Sequence, residues 1–146
     1  MRRERTMMAT AAAEITPLIA LALPSTPYSV QMARFYVRAT LTYHDLGDYA
    51  EDAEAVTSEF VTNAIEHTGA PQFGLQVVRL SGPEAVAVMV MVMVTDTSPC
   101  PPVKRAPAGD TEHGRGLHIV EALSDRWGWQ PAPPGKAVYA ILTREA

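Results

Sequence analysis

SEFVTNAIEHTG, residues 58–69, reads as the second half of an amphipathic helix that begins near Asp48. Asp48 and Glu51 have the spacing of an N-terminal capping box, with Asp in place of Ser or Thr. Ala53, Val56, Phe60 and Ala64, with Val61 and Ile65 beside them, repeat at the period of one helix face. Gly69 and Pro71 supply the stop, and His67 falls in the last turn, where the helix dipole favours a cation. Glu59 and Asn63 interrupt an otherwise ordinary polar side. They are four apart, so both side chains leave the helix on the same side. A carboxylate beside an amide carbonyl offers oxygen ligands to a hard ion such as Mg²⁺, and the carboxylate can also take a proton. A solvated helix edge carries the same residue types, so this pair needs support from the rest of the chain.

On the N-terminal side, residues 1–13 read as a flexible tail. Basic residues followed by small and apolar ones could open a signal peptide, but Glu14 and Pro17 interrupt its apolar core. Residues 15–23 read as a first strand and 24–27 as punctuation. A helix follows, with Thr26 or Ser29 as N-cap and Val30, Ala33, Val37 and Leu41 on one face. Arg34 and Arg38 lie near its opposite edge, as on a solvated face.

Beyond Gly69, residues 73–80 and 85–95 read as two strands joined by a turn at Ser81-Gly82-Pro83-Glu84. The second, AVAVMVMVMVT, puts Val86, Val88, Val90, Val92 and Val94 on one face. Ala87, Met89, Met91 and Met93 fall on the other. A strand apolar on both faces is normally covered on both. If helices form one layer only, the Met stripe needs another cover, although an ordinary central strand with Met as gap-filler reads the same way. Residues 97–113 carry prolines and charges with no apolar period, and so long a loop is usually functional or disordered. Helical period returns over 114–126 through Leu117, Val120 and Leu123. Trp127-Gly128-Trp129 ends it, with the indoles sent to opposite sides and at least one in the core. A loop through Pro131, Pro133, Pro134 and Gly135 leads to a closing strand, 136–143.

Two further groups carry chemistry. Gly114 and Gly116 at a helix N-terminus let the backbone approach an anion, where free N–H groups and the dipole favour phosphate. Arg115 between them can add a charge-assisted bond. Asp96 at a strand end can accept a hydrogen bond from an exocyclic amine, and a site built around such an acceptor rejects ligands that lack the donor.

The order of these parts resembles the ATP-binding domain shared by sensor histidine kinases, gyrase and MutL, and more closely the small bacterial anti-sigma-factor serine kinases. The residues that carry the likeness are the helix motif Glu59, Asn63, Ala64, His67, the strand-end Asp96, and Gly114-Arg115-Gly116-Leu117 opening a helix. The resemblance implies a two-layer α/β (α+β) sandwich: a mixed, mainly antiparallel sheet with helices on one face and ATP under a mobile lid. One such domain is expected over residues 14–146. It implies that Glu59 is the general base, that Asn63 holds the Mg²⁺ bridging the phosphates, and that Asp96 contacts adenine. His67, Ser98, Gly114, Arg115, Gly116 and Leu117 are implied as further ATP-binding positions. The implied activity is phosphorylation of a small protein antagonist by an ATP-dependent serine/threonine kinase that controls transcription. An anti-sigma antagonist or a sigma factor is the expected partner, and a homodimer through Met89, Met91 and Met93 is expected as well. A nucleotide-dependent switch without transfer and a scaffold that binds no nucleotide are the alternatives. The sequence departs from the wider family after the aspartate, where D-x-G-x-G is replaced by Asp96-Thr97-Ser98-Pro99-Cys100.

Composition limits the remaining choices. At 146 residues, 47% hydrophobic and 19% charged, the chain is globular and long enough for a core. A net charge of −4 argues against a nucleic-acid surface, which needs a clustered basic face. Cys100 is the single cysteine, so no disulfide forms within the chain, and a cytoplasmic location is expected. No run reaches the roughly 18 apolar residues of a membrane span. His113, His118 and Glu121 do not make a four-ligand metal set, and no G-x-x-x-x-G-K-[ST] phosphate loop is present, Gly135-Lys136-Ala137 lacking its other parts.

Overall fold

The computed structural model describes residues 14–81, 88–98 and 112–144. The expected tail, residues 82–84 of the expected turn, residues 85–87 of the Val/Met strand and residues 99–111 of the expected loop lie outside the described residues. In chain order the elements are β1 (Glu14–Pro24), α1 (Tyr28–Tyr43), a 3-10 turn (Gly47–Tyr49), α2 (Ala50–Thr68), β2 (Gln72–Ser81), β3 (Val88–Asp96), α3 (Glu112–Leu123), β4 (Arg126–Ala132) and β5 (Gly135–Thr143). The strands form one sheet in the order β1-β2-β3-β5-β4, and each described pairing is antiparallel rather than mixed.

Cross-strand register explains why the alternating run works as a central strand. Leu75, Val77 and Arg79 of β2 stand opposite Val94, Val92 and Val90. On the other side Val138, Ala140 and Leu142 of β5 oppose the same three valines. Val90, Val92 and Val94 are buried in one core with Ala33, Val37 and Leu41 of α1, Val56, Phe60 and Ala64 of α2, and Leu117 and Val120 of α3. The helix stripes expected from periodicity are therefore the stripes that meet the valines. On the opposite sheet face Met89, Met91 and Tyr139 pack against Val78, Leu80 and Ile141, a cluster that among the described residues comes from strands alone. Helices thus cover one face, as expected.

Local boundaries differ from the sequence reading in instructive ways. No capping box forms at Asp48 and Glu51: α2 starts at Ala50, behind the 3-10 turn, with Tyr49 as an N-cap that makes no side-chain cap bond. Tertiary contacts set that entry. The Tyr49 hydroxyl donates to the Val88 carbonyl, the Arg144 guanidinium lies 5.2 Å over its ring, and Arg144 also donates to the Asp48 carbonyl and pairs with Asp52 at 2.5 Å. Helix α1 likewise starts at Tyr28 behind Pro27, without a Thr26 or Ser29 side-chain cap. Gly69 ends α2 as read, in the left-handed conformation at φ 64 that glycine adopts without steric cost. Arg34 and Arg38 are not simply solvated: both pair with Glu54 and tie α1 to α2.

The largest miss is β4. Helix α3 stops at Leu123, where Ser124 returns its hydroxyl to the Val120 carbonyl, and Asp125 N–H then donates to Ile141 at the start of strand pairing. Trp127 and Trp129 belong to this edge strand, opposite Ala140 and Val138. Residues two apart in a strand share a face, so both indoles stand on the helix side rather than on opposite sides. Trp127 packs against the core and Trp129 remains exposed. Aromatic residues favour strands, and an edge tolerates Pro131.

Candidate functional site

Asp96 is the last residue of β3, on the face that carries the buried valines, where the apolar stripe gives way to a charge. Its carboxylate is organised locally first. The Ser98 backbone N–H donates to Asp96 Oδ1 at 2.8 Å, a turn closed by the side chain of its own first residue. The neighbouring strand then adds a cation. Asp96 stands opposite Lys136 in the β3–β5 register, and Lys136 Nζ lies 3.1 Å from Oδ1 and 3.0 Å from Oδ2. The same ammonium is 3.5 Å from the Ser98 carbonyl oxygen. Both side chains are nearly buried, at 7% and 5% exposure for Lys136 and Asp96. Such burial is tolerated because each charge compensates the other.

Gly135 makes this approach possible. A Cβ at that position would run into the Asp96 carbonyl oxygen and the Thr97 backbone, so only glycine lets β5 begin here. Proline and glycine before Lys136 read as mere loop composition, but the glycine serves close packing on the end of β3.

Apart from Ser98 in the turn, the other expected residues occupy two helices, α2 and α3. Glu59 and Asn63 are half-buried on α2, one helical turn apart, and His67 is exposed in its last turn. Ala64, next to Asn63, is buried in the core that also holds Val94 and Leu117, so the Asn63 turn and the end of β3 are fixed to one packed interior. Leu117 itself is 3% exposed, which makes it a core anchor of α3. Gly114 and Gly116 do not form a turn before the helix: α3 already begins at Glu112, which also moves His113 from loop to helix. Glycine costs about 1 kcal/mol in a helix interior relative to Ala, a cost that packing of the later turns can offset. Among the described residues no group of three or more His, Cys, Asp or Glu is placed to hold a metal ion. Asn63 therefore offers one carbonyl oxygen, and Mg²⁺ there would take its other ligands from phosphate oxygens and water.

The Asp96 carboxylate can accept from a further N–H donor such as an amine. Among the described residues Oδ2 accepts from Lys136 alone, and a carboxylate oxygen has room for a second donor. Lys136 is the residue that sequence reasoning missed. Its one available signal was a lysine opening an otherwise apolar strand, and Asp96 is 40 positions away in the chain.

Among the described residues no helix is long and apolar enough to cross a membrane. No curated protein matches the chain. The family model for the histidine kinase-like ATPase domain matches residues 23–142, which spans every element from the end of β1 to β5. With its antiparallel sheet, helices on one face and aspartate at the end of the central strand, the chain belongs to the histidine kinase-like ATPase domain family, an ATP-binding class.

Proposed function

We propose that this protein binds Mg-ATP between α2 and the end of β3 and phosphorylates a serine or threonine of a small protein antagonist, so regulating transcription as an anti-sigma-type kinase. The observation that carries the reading is the buried Asp96 carboxylate, held by Ser98 and Lys136 with acceptor capacity left on Oδ2. A buried acceptor of this kind selects a base that brings an amine. Asn63 supplies a carbonyl oxygen for Mg²⁺ on the phosphate side. Glu59, one turn away, takes the proton of the attacking hydroxyl as its oxygen bonds to the terminal phosphorus and ADP leaves. His67, Arg115 and the backbone around Gly114 and Gly116 complete the phosphate side in this reading. The partner is a protein, either the antagonist or the sigma factor itself, and two copies pair through the Met89, Met91 and Met93 face.

The test has two stages. Mg-ATP should raise the melting temperature, as any ligand of the native state must. Labelled phosphate should then pass to the cognate antagonist. Glu59→Ala should keep nearly all Mg-ATP binding while transfer falls about 100-fold or more, the usual worth of a positioned base. Asn63→Ala should lose both. Transfer by Glu59→Ala at the wild-type rate would remove Glu59 from the chemistry. Binding without transfer by the wild type, with partner affinity altered by ATP, would establish a switch instead. No thermal shift at all would leave a scaffold.

A further inference from the structure

Lys136 has no role in the function proposed above beyond lying against Asp96, yet its surroundings ask for one. A buried ion pair is a weak source of stability, because the desolvation of two charges offsets most of their attraction. Apolar residues would complete the sheet end at least as well, as Val138, Ala140 and Leu142 do along the rest of the same face of β5. The pair sits instead where the apolar stripe stops, and β5 is brought onto it by a glycine that admits no side chain.

The ammonium has three N–H groups. Its closest acceptors are the two oxygens of one carboxylate, at 3.0 Å and 3.1 Å, which a single donor direction can share. The Ser98 carbonyl at 3.5 Å is at the limit of a hydrogen bond. Among the described residues donor capacity therefore remains on Nζ beside the acceptor capacity that remains on Asp96 Oδ2. An acceptor and a donor side by side form the complement of a base edge that carries an amine next to an unprotonated ring nitrogen. Adenine has this arrangement on both sides of its amine, at N1 and at N7.

We propose that Lys136 is a specificity-determining residue of the nucleotide site, donating from Nζ to the adenine ring nitrogen adjacent to the amine that Asp96 accepts. Asp96 and Lys136 then read the base as a two-point contact. The inference rests on the nucleotide reading of Asp96. A hydrogen bond from a charged donor to a ring nitrogen is worth a tenfold or greater change in affinity, on the order of what charge-assisted bonds contribute.

The experiment compares ATP, 1-deaza-ATP and 7-deaza-ATP, each with Mg²⁺, by calorimetric titration of the wild-type protein and of Lys136→Met. One of the two deaza analogues should bind the wild type at least tenfold more weakly than ATP, and Lys136→Met should bind that analogue and ATP equally. A lysine that merely holds Asp96 in place would weaken ATP and the analogue in parallel, leaving their ratio unchanged. Should the methionine variant not fold, Lys136→Gln replaces it, and the analogue-to-ATP ratio should fall at least threefold from its wild-type value. Wild-type protein that binds ATP and both analogues alike overturns the role of Lys136 and leaves the nucleotide reading intact. Discrimination that survives unchanged in the substituted protein does the same. Wild-type protein that binds no ATP overturns both.

Discussion

Asp96 shows how one residue can be read in a sequence while its environment cannot. An aspartate ending a hydrophobic strand is visible as an acceptor, and the short turn to Ser98 follows from its side chain. Nothing in the local sequence places Lys136 opposite it, because antiparallel register across 40 residues depends on how the whole sheet assembles. Asp96→Asn separates the two contributions. It keeps an acceptor but removes the negative charge, so Lys136 is left nearly buried without its counter-ion, a class of change that costs about 3–5 kcal/mol when the pair is fully broken. In the proposed nucleotide complex the amide that replaces one oxygen would also meet the base amine donor to donor. We expect a lower melting temperature together with ATP affinity reduced by about 1–3 kcal/mol, measured by calorimetry at a temperature where both proteins are folded. Unchanged affinity in a folded variant would place the base elsewhere.

At the scale of elements, α1, α2, β2, β3 and β5 were legible because their periods are long and uninterrupted. Strand β4 was not, since seven residues with one glycine and one proline give no period, and only pairing to β5 makes them a strand. The entry to α2 was misread for a related reason: contacts from distant residues replaced the local capping box. Those contacts are testable. Tyr49→Phe removes the donor to the Val88 carbonyl but keeps the ring under Arg144, and should cost about 1 kcal/mol, seen as a lower urea midpoint at unchanged slope. Burial raises the pKa of the Tyr49 hydroxyl above its ordinary value, with the Asp48 charge adding and the hydrogen bond and charge of Arg144 opposing. The donating, neutral phenol is thus favoured in the fold. Its contribution should be complete below the ordinary tyrosine value near pH ~10 and be lost as pH rises through the raised one. Wild type should accordingly lose more stability than Tyr49→Phe in strongly alkaline solution, measured by urea titration at each pH. Equal losses would assign the alkaline effect to other groups.

At the scale of the whole molecule, the described helices pack on one face of the sheet, and Met89, Met91 and Tyr139 lie half-buried beside Val78, Leu80 and Ile141 on the other. The proposed pairing of two copies through this face predicts that Met91→Glu gives a soluble monomer that still binds ATP, judged by light scattering and thermal shift. A variant that does not fold would make the stripe internal core, and an unchanged mass would move the interface elsewhere. The strand order carries a consequence for synthesis as well. β3 lies between β2 and β5, yet the chain reaches β5 only after residues 97–111, α3 and β4. Asp96 and its partner Lys136 are separated by 40 residues, roughly 2–8 seconds of elongation at typical ribosomal rates of about 5–20 residues per second. During that interval a valine- and methionine-rich strand has one edge without a neighbour, the condition under which nascent chains join one another instead of themselves. Chains stalled on the ribosome with residue 134 just outside the exit tunnel should therefore be chaperone-bound and protease-sensitive, whereas those stalled with residue 144 exposed should be neither.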